Sequence, residues 1–186
     1  PLSKQPELKH SGVRLEPVQL PWRLFALIEG DVQQHFETLR PLCETFSYAS
    51  LSLTGRERPA LLIRAASATA PDPQWLRDID QHLGLQEGPV LAYDDPQRSI
   101  GKRVRIDHGR ITAIRLAGET LAQHWLLNLW REGRADEQLR RWLLAPLSAP
   151  PGQAGASAAG DKTLCNCKNV SQSAVCAGIA RGLDLQ

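Results

Sequence analysis

The apolar residues fall into short, well-punctuated segments. Trp22-Arg23-Leu24-Phe25-Ala26-Leu27-Ile28-Glu29-Gly30 is a nearly continuous apolar run closed by glycine, and it predicts a buried strand. Asp31 then suits a helix N-cap, and Val32, Phe36, Leu39 and Leu42 recur at the helical period up to Cys43. Tyr48–Thr54 alternates and predicts a strand; Ala60–Ala65 predicts a second, more buried one. Asp72-Pro73 opens another helix, with Trp75, Leu76, Ile79 and Leu83 on its inner face and Gly84 at its close. Pro89–Tyr93 is a short apolar strand. Lys102–Ile106 alternates, Asp107-His108-Gly109 turns, and Ile111–Leu116 returns, which together predict a hairpin. Two helices follow, at Thr120–Arg131 with Leu121, Trp125 and Leu129 on one side, and at about Asp136–Leu144 with Leu139, Trp142 and Leu143.

This order of elements predicts an α/β (α+β) fold, a mixed sheet with flanking helices, over residues 19–147. Residues 1–18 have little periodicity and read as the trailing end of something else. Residues 148–161 are small, Pro- and Gly-rich and without apolar period, so a linker is expected there. Residues 162–186 read as the start of a second, small helical module, truncated at Gln186. The chain begins at Pro1 and contains no methionine, so a fragment of a longer polypeptide is expected.

Composition narrows the partners. In 186 residues, 22 Lys and Arg face 20 Asp and Glu, a net charge of +2 without long basic runs. That argues against a nucleic-acid partner. No apolar run approaches a membrane span, and residues 1–21 lack the apolar core of a signal peptide, so a cytoplasmic protein without a membrane partner is expected.

The four cysteines are Cys43, Cys165, Cys167 and Cys176. Cys165-Asn166-Cys167 is the sharpest chemical feature: two thiols one residue apart in a short loop can point at one metal centre, and iron–sulfur clusters are held by four such thiolates. The alternative is two incidental thiols. Ser171 suits a helix N-cap behind this loop, with Val175, Ile179 and Ala180 as an apolar stripe. Cys176 on that helix and Cys43 at the end of an earlier one read as buried structural residues. The five histidines show no ligand spacing. Arg56, Arg58 and Lys102-Arg103 read as solvated faces.

The segment Asp161-Lys-Thr-Leu-Cys165-Asn-Cys167-Lys-Asn-Val170-Ser171 resembles the start of a [2Fe–2S] domain similar to bacterioferritin-associated ferredoxin. There a Cys-x-Cys pair is followed about thirty residues later by Cys-x-x-Cys, and the four thiols hold the cluster. Cys165 and Cys167 match the first pair; the second is absent. Ser3–Lys9 followed by Val13–Glu16 resembles the end of the C-terminal β domain of molybdopterin oxidoreductases. Leu116-Ala-Gly-Glu-Thr120, Trp142-Leu-Leu-Ala-Pro146 and the Ala-Pro-Pro linker look like the large subunit of bacterial assimilatory nitrate reductases. That family runs in the same order: molybdopterin domain, α/β segment, linker, [2Fe–2S] domain.

The resemblance implies the electron-accepting accessory region of an enzyme that reduces nitrate to nitrite, inactive by itself. The complete enzyme would carry molybdenum bis-molybdopterin guanine dinucleotide and a [4Fe–4S] cluster, with Lys9 near the pterin. The partners implied are the rest of the nitrate reductase chain and an electron donor, either an NADH-dependent FAD flavoprotein or a ferredoxin or flavodoxin. A second echo, at Tyr93–Gly133, resembles the C-terminal domain of pyridine-nucleotide flavoprotein reductases and nitrite reductases, an interface module. A non-catalytic docking module and a fragment of such a reductase are therefore the alternatives.

Overall fold

The apolar run at residues 22–29 forms β1 (Trp22–Glu29), a central strand of a six-stranded sheet. The computed structural model describes residues 20–133, 137–150, 163–165 and 170–171. β1 barely alternates because both its faces are covered: Trp22, Leu24, Ala26 and Ile28 join one core, Phe25 and Leu27 the other.

After β1 the Asp31 carboxylate accepts the Gln34 backbone N–H at 3.1 Å and starts α1 (Val32–Cys43). β2 (Tyr48–Thr54) and β3 (Ala60–Ser67) follow, and β3 inserts between β1 and β2. β1 and β2 therefore run parallel without being neighbours, a split β-α-β unit. Asp72 accepts the Gln74 N–H at 2.6 Å ahead of α2 (Pro73–His82), with proline in its first turn. β4 (Val90–Asp95), β5 (Ile100–Asp107) and β6 (Arg110–Ala117) form a meander, and β6 returns to pair with β1, placing Leu27 opposite Ile114. His108 and Gly109 connect β5 to β6 with φ of 50° and 74°, the two positive values a type I′ hairpin turn requires.

The strand order is β2-β3-β1-β6-β5-β4. The fold is α+β, as expected. The mixed sheet narrows to an antiparallel one, because every neighbouring pair of strands runs in opposite directions. Helices cover both faces. Leu39 and Cys43 of α1 and Ile79 of α2 pack on Leu24, Ala26, Leu61 and Ile63. On the other face Trp125, Leu126, Leu129 and Trp130 of α3 (Gln123–Glu132) pack on Phe25, Leu27, Leu62, Ile114 and Leu116.

Two helices differ from expectation. α3 begins at Gln123 rather than Thr120, because the Glu119 carboxylate takes the Leu121 N–H and holds the chain in a turn. Leu121 is exposed there, while Trp125 and Leu129 are buried as expected. α4 spans only Glu137–Arg140. Beyond it the Trp142 and Leu143 amides reach back three residues, to Leu139 and Arg140, in tightened turns that drop Leu143 into the core. Pro146 disfavours helix at the residue before it. Among the described residues no helix is long and apolar enough to cross a membrane.

Candidate functional site

Of the two expected cluster ligands, Cys165 lies on a second, two-stranded ladder. β7 (Thr163–Cys165) pairs antiparallel with β8 (Val170–Ser171), and Cys165 stands opposite Val170 on the last rung. Cys165 is therefore the last residue of β7. Cys167 itself, Lys9, Cys176, the segment 151–162 and the helix expected after Ser171 lie outside the described residues. Two thiols one residue apart in the sequence suit an iron–sulfur cluster in donor chemistry, and they supply half of its four ligands. Cys43, the other cysteine of the described residues, is not a candidate for the rest. It is packed in the core beneath α1, where burial pushes its thiol up to about 11 and keeps it protonated. Among the described residues no cluster of His, Cys, Asp and Glu could hold a metal ion.

The charged chemistry of the α+β domain lies where the sequence did not announce it. Asp80 on α2 is 3% exposed and Arg115 on β6 is 2% exposed. They meet as a two-pronged ion pair, Arg115 Nε to Asp80 Oδ1 at 2.8 Å and Nη2 to Oδ2 at 2.5 Å. Small Ala113 and Ala117 flank Arg115 on the same sheet face and leave room for its guanidinium under α2. Arg103 Nε lies 3.2 Å from Asp80 Oδ2, and its other two nitrogens grip the Asp94 carboxylate on β4 at 2.8 and 3.1 Å. The bond to Asp94 is the main reason the Arg103 guanidinium is held even more firmly protonated than usual. Two cations and two anions thus alternate from the core to the surface. Gly101 makes the arrangement possible, since a Cβ there would stand 2.5 Å from Arg115 Nη1.

Lys102 corrects a second expectation. It is 2% exposed, on the opposite sheet face, and its ammonium is bound by Glu119 at the approach to α3. Arg58 is half-buried: Nη1 donates to Glu29 Oε1 at 2.7 Å, Nη2 donates to the Trp130 carbonyl, and the guanidinium lies over the Trp130 ring at 5.3 Å. The Trp130 indole N–H donates to the same Glu29 oxygen at 2.5 Å. Lys102, Arg103 and Arg58 are therefore internal anchors and not solvated faces, because each has an acid from another element within reach. A signal did exist for the deepest pair. Asp80 interrupts the apolar stripe of Leu76, Ile79 and Leu83, and Arg115 interrupts Ile111–Leu116, and a charge inside an apolar pattern asks for a buried partner.

At the end of α2, Arg105 donates to the Gly84 carbonyl at 3.0 Å and to Asp107 Oδ2 at 2.8 Å. With Gln81, Gln86, Glu87 and Gly88 it lines an open cavity of about 550 Å³. The Thr112 hydroxyl donates to Asp107 at 2.6 Å; this bond, then Arg105, holds the Asp107 carboxyl below its ordinary range. These buried and half-buried charges are paired with one another, and the pairs tie α2, the approach to α3 and the β4–β6 meander together.

Compared with known proteins, the chain matches no family model, no curated protein and no solved structure.

Proposed function

We propose that this chain is the C-terminal, electron-accepting accessory region of a molybdenum-dependent assimilatory nitrate reductase. The observation that carries the reading is the Cys165-Asn166-Cys167 spacing, with Cys165 at the end of strand β7. That setting suits one half of a [2Fe–2S] ligand set, and the bound cluster supplies one-electron acceptance and donation. Cys165 and Cys167 hold one side of it. The α+β domain is the spacing and docking body between the molybdenum domain and the cluster module. Lys9 lies near the pterin, and an NADH-dependent flavoprotein, a ferredoxin or a flavodoxin delivers the electrons.

Iron–sulfide reconstitution tests the reading. The 186-residue chain with its two adjacent thiols forms no stable, stoichiometric cluster and produces no nitrite from nitrate with an artificial donor. In the complete enzyme, Cys165→Ser or Cys167→Ser removes the [2Fe–2S] visible and paramagnetic signals while dye-driven nitrate reduction at the molybdenum site persists. A complete protein whose cluster signals survive both substitutions would overturn it.

A further inference from the structure

The two edges of the large sheet are unequally protected. β4 ends in Asp94 and Asp95 with Pro96 directly after it, and carboxylates and proline at an edge discourage further strand pairing. β2, at the opposite edge, reads Tyr-Ala-Ser-Leu-Ser-Leu-Thr. It contains no charge, proline or glycine, pairs with β3 over all seven residues, and shows no register shift. Among the described residues no strand pairs with its outer side. It also presents two of the described chain's exposed large apolar side chains, Leu53 at 75% and Tyr48 at 53%. An edge that is long, regular and apolar is a template for another strand.

The sequence of β2 decides which strand. It is nearly symmetric about Leu51: serine on each side, then Ala49 and Leu53, then the hydroxyl-bearing β-formers Tyr48 and Thr54. We propose that β2 pairs antiparallel with β2 of a second copy across a two-fold axis through Leu51, joining two six-stranded sheets into one of twelve. In this register Leu51 faces Leu51, Ser50 faces Ser52, Ala49 faces Leu53 and Tyr48 faces Thr54. Directly opposed residues of an antiparallel pair share a sheet face. Among the described residues nothing covers Leu53 on the outer side of β2, and the small Ala49 of the second copy gives it a surface to cover. No like charges meet along the seam. Self-pairing of β4 about its centre would instead set the Asp94 and Asp95 carboxylates against the apolar Leu91 and Val90 of the other copy. A two-fold interface of this kind is closed and self-complementary, so assembly stops at two.

The pairing is tested by sedimentation and light scattering on the 186-residue chain over a range of concentrations. The wild type is expected at twice the chain mass at micromolar concentration, with the alternate β2 amides that point away from β3 protected from exchange in the dimer and not on dilution. Leu53→Lys and Ala49→Glu each shift it to the single-chain mass, with the circular dichroism of the fold retained. Combined, Ala49→Glu and Leu53→Lys restore the dimer, because each cation then faces an anion of the other copy. Tyr93→Lys on β4 leaves the dimer intact. A wild type that stays at single-chain mass at high concentration overturns the proposal. So does a Leu53→Lys protein that remains dimeric, and a double variant that remains monomeric removes this register.

Discussion

On β1 and β3 the positions facing α1 and α2 are filled by Leu24, Ala26, Ile28, Leu61 and Ile63. On β5 and β6 the same sheet face carries Arg103, Arg105 and Arg115. One half of the sheet is held by hydrocarbon packing, which is non-directional and tolerates repacking. The other is held by ion pairs with Asp80, Asp94 and Asp107, which require each partner in its place. Removing two charges from water is costly, and their attraction offsets this only with good geometry and filled hydrogen bonds. The ionic half therefore adds little net stability over an apolar one, yet it suffers most when one partner is lost. The two-pronged contact sets Asp80 of α2 directly over Arg115 of β6.

The largest expected break is on the ionic side. Asp80→Ala leaves Arg115 buried and unpaired and removes one anion from Arg103, and denaturant unfolding should show a loss of about 3–5 kcal/mol. Replacing both ends, Asp80→Leu with Arg115→Met, should recover much of that loss. A double variant as unstable as Asp80→Ala would mean that the pair contributes net stability after all.

On the hydrocarbon side, Leu61→Ala should cost about 3 kcal/mol through lost transfer energy and the cavity left at a site with no solvent exposure. Here a neighbouring enlargement, Ala26→Val on β1, should restore part of it.

Smaller again is Asp31→Ala, which removes the acceptor for the Gln34 N–H and should cost about 1 kcal/mol in urea titration. An unchanged midpoint would show that packing of α1 alone fixes its start.

The finest comparison is in pH. Asp107 has a lowered folded pKa, so its contribution is present above the ordinary carboxylate value of 3.8 and is lost as pH falls through the folded value. Cys43 has a raised one, about 11 against an ordinary 9.0, so its contribution is complete below 9.0 and is lost as pH rises through about 11. Acid should loosen the ionic half and alkali the hydrocarbon half. Urea midpoints measured across pH should show Asp107→Asn flattening only the acid limb and Cys43→Ala only the alkaline one.

By itself the sequence determined the local elements. Alternation marked β2 and the β5–β6 hairpin, helical spacing with Asp31 and Asp72-Pro73 as starts marked α1 and α2, and the Cys165-Asn166-Cys167 pair marked the metal-site candidate. These are readable because caps, turns and periodicity act over a few neighbouring residues. Strand order, and the burial of charges, came only with the tertiary structure. Lys102 looks like a surface residue until Glu119, seventeen positions on, is brought to it. Asp80 and Arg115 stand thirty-five positions apart and meet only because β6 returns to β1 beneath α2. Whether a charge can be buried depends on a partner from another element, and short-range pattern holds no information about which element that is.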